Sequence, residues 1–140
     1  GKEADMYMNA NTYLFPETLT VVDSLRQKGL KTGIVSTKYT FRIQSFLAEK
    51  ASVDASDIIV GGEDVSIHKP DPEGVLIAMD KLNVTRQQTL YIGDSVVDAE
   101  TALNAGVDFI GVTSGATTES ELAVYPHIKI ISNLGLLLKP

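Results

Sequence analysis

The segment Gly93-Asp94-Ser95-Val96-Val97-Asp98 places two carboxylates four residues apart, directly after the apolar run Thr89-Leu90-Tyr91-Ile92. A strand stopping at Gly93 puts Asp94 at its carboxyl edge and Asp98 in the first turn of the next helix. Two carboxylates then converge near one point. Mg²⁺ takes hard oxygen ligands at about 2.0–2.1 Å and keeps several waters. One carboxylate binds it and the other orients its waters. The competing account is purely structural, with Asp98 complementing the helix dipole and Asp94 acting as a cap.

Two further segments offer polar groups at strand or helix ends. Ser36-Thr37-Lys38 follows Thr32-Gly33-Ile34-Val35. A hydroxyl there hydrogen-bonds a phosphate oxygen beside backbone N–H groups, or else caps the following helix. In His68-Lys69-Pro70-Asp71-Pro72-Glu73, Pro70 holds Lys69 extended and Pro72 suits a helix start. The Lys69 ammonium is a point charge for an anion, or simply a solvated cation. His68 has no partner spacing for metal or catalysis and reads as ordinary. The small-residue stretch Gly111 to Thr118 has neither a Walker lysine nor G-x-G-x-x-G spacing, and reads as a turn lining the site.

Positioning these groups requires strands alternating with helices. β-branched runs at 32–36, 57–61, 89–93 and 108–112, with a weaker one at 128–131, suit strands buried on both faces of a parallel sheet. Helical spacing is predicted at 16–28, 40–50, 72–82, 95–104 and 118–124. Phe41, Ile43, Phe46 and Leu47 are expected on one face of the second, and Val75, Leu76 and Met79 on one face of the third. The alternation predicts a doubly wound α/β domain, with ligands at the carboxyl ends of its strands. Residues 1–14 are polar and rich in Asn, Met and Tyr. They read as a helix end and connector, not as a buried strand.

Composition narrows the functions. The 140 residues are 44% hydrophobic and 21% charged, enough to bury a core. Twelve Lys and Arg against eighteen Asp and Glu give a net charge of −6. No electrostatic footprint for nucleic acid or an anionic membrane is present. Cysteine is absent, which excludes disulfides and thiolate chemistry. With no apolar signal core at the N-terminus, the cytoplasm is the expected compartment.

In order and separation, Ser36, Lys69 in Lys-Pro-x-Pro, and Gly93-Asp94-Ser95-x-x-Asp98 resemble motifs II, III and IV of the haloacid dehalogenase (HAD) superfamily. Within it the chain is similar to the branch of phosphoglycolate phosphatases and PpaX-type pyrophosphatases. Leu14-Phe15-Pro16-Glu17, the Gly33 to Lys38 strand end and Gly61-Gly62-Glu63-Asp64 add to the likeness, which covers about residues 14–131. The resemblance implies that Ser36 bonds the transferring phosphoryl group and Lys69 neutralises charge on it and on the nucleophile. It implies that Asp94 binds Mg²⁺, with Asp98 supporting the ion from behind or through water, and that Thr37 and Lys38 contact substrate. The implied reaction is two-step phosphoryl transfer through an aspartyl-phosphate.

One family motif is missing. Asp-x-Asp-x-Thr, which supplies nucleophile, acid/base and a metal ligand at the end of the central first strand, has no counterpart: the sequence contains no Asp-x-Asp. The fold expected is therefore a HAD-like, Rossmann-like doubly wound sheet that is incomplete because its central first strand is missing. Residues 1–14 are expected to be a remnant of a helical cap and hinge, and 15–140 a partial core. The gap is expected to be closed by direct pairing of its neighbours, filled by a swapped segment or left open, with self-association through exposed edges. Mg²⁺ binding is expected to be weak. Partners are a small phosphorylated substrate, with no nucleic acid and no membrane. The alternatives are a non-catalytic phosphate- or partner-binding module of the same fold and, more weakly, a receiver-type signalling domain.

Overall fold

The computed structural model describes residues 5–9, 17–49, 56–113 and 117–138. Its elements alternate along the chain: β1 Asp5–Asn9, α1 Glu17–Gln27, β2 Thr32–Val35, α2 Thr40–Glu49, β3 Ile58–Val60, α3 Glu73–Leu82, β4 Thr89–Gly93, α4 Val96–Ala105, β5 Asp108–Val112, α5 Glu119–Leu122 and β6 Lys129–Ile131. The six strands form one parallel sheet in the order β3-β2-β1-β4-β5-β6. The order reverses direction at β1, so the crevice above β1, β2 and β4 is where such a sheet receives ligands.

Side-chain alternation along the strands divides the core between the two faces. Tyr91 and Phe109 pack with Val75, Ala78, Met79, Ala99 and Ala102 of α3 and α4. Their neighbours Ile92 and Ile110 point the other way, against Val21, Val22 and Leu25 of α1 and Leu134 near the C-terminus. The alanines of α4 let that helix lie close on the sheet. Its end is set by Gly106 in the left-handed conformation (φ 73°).

The doubly wound parallel architecture is as expected, but the centre of the sheet is not vacant. Residues Asp5–Asn9 form a strand there, with Met6 opposite Thr32 on one side and Leu90 on the other. This corrects both the expected gap and the reading of these five residues as helix end and connector. The reason is backbone hydrogen bonding. β2 and β4 each present a row of N–H and C=O groups whose burial without partners is costly, and pairing on two sides outweighs the modest strand propensity of Asp-Met-Tyr-Met-Asn. What the sequence lacks is the Asp-x-Asp motif, not a strand in the central place. The β2 and β4 edges on which the expected self-association rested are both paired with β1; β3 and β6 form the outer edges.

Two helix faces are also corrected. Ile43 and Leu47 are buried, but Phe41 is 58% exposed, and Leu76 lies on the outer side of α3 while Val75 and Met79 are buried. Phe41 sits at the first turn of α2, where Tyr39 meets it edge-on and the Arg42 guanidinium lies over its ring. Phe46 and the 114–116 part of the small-residue loop lie outside the described side chains.

Candidate active site

Four chemistry-bearing side chains lie on or beside the carboxyl edge of β2 and β4. β4 ends at Gly93, where a Cβ would collide with the Asp98 side chain. Glycine is therefore what allows Asp98 to fold back over the strand end. Ser95 caps α4: its Oγ accepts the Asp98 N–H at 3.2 Å and donates to Asp98 Oδ2 at 3.0 Å. The same Oδ2 accepts the Asp94 N–H at 3.2 Å.

The other carboxylate oxygen faces the core. Asp98 Oδ1 receives Lys69 Nζ at 3.0 Å and the Tyr91 hydroxyl at 3.2 Å. Asp98 is fully buried and the Lys69 side chain is 7% exposed. An ion pair so deep gives up the hydration of both charges and is weak evidence for stability alone. Burial and the Asp98 charge push the Tyr91 phenol well above its ordinary value, so it remains a donor.

Asp94 is half-buried and differs from Asp98. Burial first, and then the Asp98 charge, raise its carboxyl above the ordinary value, while Lys69 pulls it back. A carboxylate held near a second one is relieved by a cation. By contrast, both oxygens of Asp98 are engaged by protein donors, so a metal bond there would displace one of them. A divalent ion therefore fits beside Asp94, with Asp98 behind. Among the described residues no three His, Asp or Glu side chains converge as a ready cage. Asp94 by itself does not make a metal cage.

Ser36 continues β2 by donating its N–H to Val60 O at 3.0 Å, and its buried Oγ accepts the Lys38 N–H at 3.0 Å. That bond shapes the turn toward α2 and leaves the hydroxyl hydrogen to be donated. Ser36, Thr37, His68 and Lys69 share the wall of one narrow crevice. A wider groove of about 580 Å³ runs along α3 past Leu76 and Asp80, but none of these residues lines it.

The loops around the crevice are tied together. Glu63 accepts the Thr40 N–H at 3.0 and 3.2 Å, Asp64 accepts the Gly61 N–H at 2.9 Å, and the Gly62 N–H reaches Lys38 O at 2.8 Å. Glu73 accepts the N–H groups of Ser66 and Ile67, and Asn104 Nδ2 holds Pro70 O at 2.9 Å. The Lys69–Pro70 peptide is cis. These bonds fix the loop that delivers Lys69 to Asp98.

The structure brings Lys69, Asp94 and Asp98 into one bonded group and sets Ser36 across the crevice from it. Thr37 lines that crevice, and Lys38 bonds Ser36 Oγ through its N–H and the Gly62 N–H through its carbonyl. Sequence reasoning missed the bonds that Tyr91 and Ser95 make to Asp98. Ser95 was legible, because Ser-x-x-Asp has capping-box spacing. Tyr91 sits in an apolar strand and gave no such signal.

A doubly wound parallel sheet with a lysine–carboxylate pair and a second carboxylate at its carboxyl edge defines an α/β protein whose charged side chains gather where such sheets receive ligands. Comparison with known proteins narrows this. A profile of the haloacid dehalogenase-like hydrolases matches residues 2–112. The phosphoglycolate phosphatase of Escherichia coli K12 is 33% identical over 104 residues, 74% of this chain. A solved haloacid dehalogenase-like hydrolase from Bacteroides fragilis is 56% identical with a TM-score of 0.85, covering 89% of this chain and 59% of that one. A phosphoglycolate phosphatase structure from Lactobacillus delbrueckii subsp. bulgaricus is 31% identical with a TM-score of 0.77, covering 88% of this chain and 51% of that one. This chain belongs to the haloacid dehalogenase-like hydrolase family. It spans 41% of the length of the Escherichia coli enzyme.

Proposed function

We propose that the chain is the carboxyl-terminal core part of a Mg²⁺-dependent phosphatase of small phosphorylated metabolites, phosphoglycolate- or pyrophosphate-like. The observation that supports this most is the buried Lys69–Asp98 pair beside Asp94 at the strand ends. Its cost in hydration is hard to justify by folding, and it holds a cation where an oxyanion would sit.

In this reading Ser36 donates to the phosphoryl group, and Lys69 neutralises charge on that group and on the attacking carboxylate. Thr37 and Lys38 orient the substrate. Asp98 positions Lys69, and Asp94 holds Mg²⁺, supported by Asp98. When bound, the ion would offset charge on the transferring group. The nucleophile that forms the aspartyl-phosphate, its acid/base partner and a further metal ligand come from sequence beyond this chain, consistent with the part of the relatives it spans. Outside the strand Asp5–Asn9, which lies in the core sheet, the 1–14 segment would then be what remains of the cap and hinge of the longer protein. The chain alone binds phosphate without hydrolysing it. The compartment proposed is the cytoplasm; among the described residues no helix is long and apolar enough to cross a membrane.

The second reading is a phosphate- or partner-binding module that does no chemistry. What favours it is the central strand Asp5–Asn9 standing in a sequence with no Asp-x-Asp. Supplying a segment that carries Asp-x-Asp-x-Thr, with Mg²⁺, and assaying phosphate release from phosphoglycolate, pyrophosphate and a nitrophenyl ester separates the two. Activity lost in Asp94→Asn and Lys69→Ala supports the phosphatase. Full activity in Lys69→Ala rejects the site assignment, and no activity under any condition leaves the module.

A further inference from the structure

We propose that the central place in the sheet is an exchangeable strand site, in which Asp5–Asn9 gives way to a separate extended segment of β-branched apolar residues running parallel to β2 and β4.

The observation behind this is how β1 is held. It pairs with β2 from Met6 opposite Thr32 to Asn9 opposite Val35, and with β4 from Asp5 opposite Thr89 to Met8 opposite Ile92. These are backbone pairings. Main-chain N–H and C=O groups are the same in every residue except proline, so the two ladders accept any extended segment. The side chains of β1 add little that is specific. Its sequence is Asp-Met-Tyr-Met-Asn. Methionine is unbranched and adaptable, and fills a gap without defining it. Every other described strand contains isoleucine, and β1 has none.

The walls of the site suit a different occupant. Ile34 and Val35 on one side and Tyr91 and Ile92 on the other are buried. Val21 and Val22 of α1 pack on one face of the sheet, and Val75 and Ala99 of α3 and α4 pack on the other. A strand covered on both faces is normally a continuous β-branched apolar run. Chain order also permits exchange. Among the described elements β1 adjoins only α1 in sequence, so α1 to β6 keep their order when it leaves. Helix α1 has its own anchorage, since Val21, Val22 and Leu25 pack with Ile92, Ile110 and Leu134. What favours β1 over an incoming segment is its tether, equivalent to an effective concentration of about millimolar.

The probe is the synthetic peptide Lys-Thr-Val-Ile-Val-Ile-Thr-Lys, titrated into the whole chain and into Met8→Pro. The proline deletes one ladder N–H and so loosens β1 in its place. Amide hydrogen exchange and calorimetry are the readouts. In the parent, millimolar peptide should speed exchange at residues 5–9 by about fivefold or more, while 32–35 and 89–92 stay protected. Met8→Pro should bind the peptide about tenfold tighter than the parent. If Met8→Pro does not fold, exchange at 5–9 in the parent decides alone. Peptide that binds neither protein overturns the proposal. So does peptide that binds both equally with 5–9 still protected, which would place it on the outer edge of β3 or β6. Protection lost at 32–35 and 89–92 as well would mean that the peptide unfolds the chain, and overturns it too. The peptide carries no acidic residue, so each outcome bears on the strand site and leaves the phosphatase reading to its own assay.

Discussion

The ammonium of Lys69 and Oδ1 of Asp98 are 3.0 Å apart, in a place where Asp98 has no solvent exposure. Lys69 comes from a turn and Asp98 from the first turn of α4, 29 positions apart in the chain. Removing one partner leaves the other charged and buried. Asp98→Asn should therefore cost about 3–5 kcal/mol, and Lys69→Met a similar amount. The double variant should cost clearly less than the sum of the two. Urea unfolding of all four proteins gives the coupling, and additive losses would contradict a direct pair.

Tyr91 shares that oxygen. Tyr91→Phe keeps the ring against Phe109 but deletes a donor to a buried carboxylate. The loss should be about 1.5–3 kcal/mol. Because the Tyr91 phenol is raised well above 10.0, one tyrosine should resist ionisation in an alkaline absorbance titration until the chain unfolds. The sign follows: a raised folded value makes ionisation costly, so stability is lost as pH climbs past the ordinary tyrosine range.

Asp94 gives the same sign in the acid range. Its folded value is raised, so its ionised form destabilises the fold, and this cost is present at neutral pH. It disappears as pH falls through the raised value to below the unfolded one. Asp94→Asn should therefore raise the thermal midpoint at pH 7.5 and change it little at pH 3. Millimolar Mg²⁺ should raise the midpoint of the parent slightly and that of Asp94→Asn not at all. An equal response in both would remove Asp94 from the metal site.

Gly93→Ala tests the close approach at the strand end. The added methyl meets the Asp98 side chain, so the carboxylate must shift. A loss of about 1–3 kcal/mol is expected, together with weaker phosphate binding because Lys69 moves with Asp98. Unchanged stability would mean that the turn relaxes freely.

The sheet was legible wherever a strand is buried on both faces. β4 and β5 match the runs at 89–93 and 108–112 residue for residue, because nothing but an apolar run survives there. β1 was not legible. Asp5–Asn9 is a strand because of what lies on either side of it, and a neighbour's unpaired backbone leaves no trace in the segment's own composition. Phe41 misled for a local reason: helical spacing counts residues on a face but not how far the first turn projects beyond the sheet. The carboxylates were legible from Gly93-Asp94-Ser95-x-x-Asp98, because small residues and acids share one turn. The Tyr91 hydroxyl was not, since an aromatic in a strand reads the same with its oxygen bonded or bare.

The ties between the β2–α2 turn and the Gly62–Asp64 turn bear on how a ligand is received. Thr40, Glu63 and Asp64 join two stretches of chain that would otherwise fluctuate separately. The Thr40 N–H at the start of α2 is already occupied by Glu63, whose carboxyl is held below its usual value chiefly by that bond. Little ordering is therefore left to be done on arrival of a guest, and selection rests on side chains that are already in position.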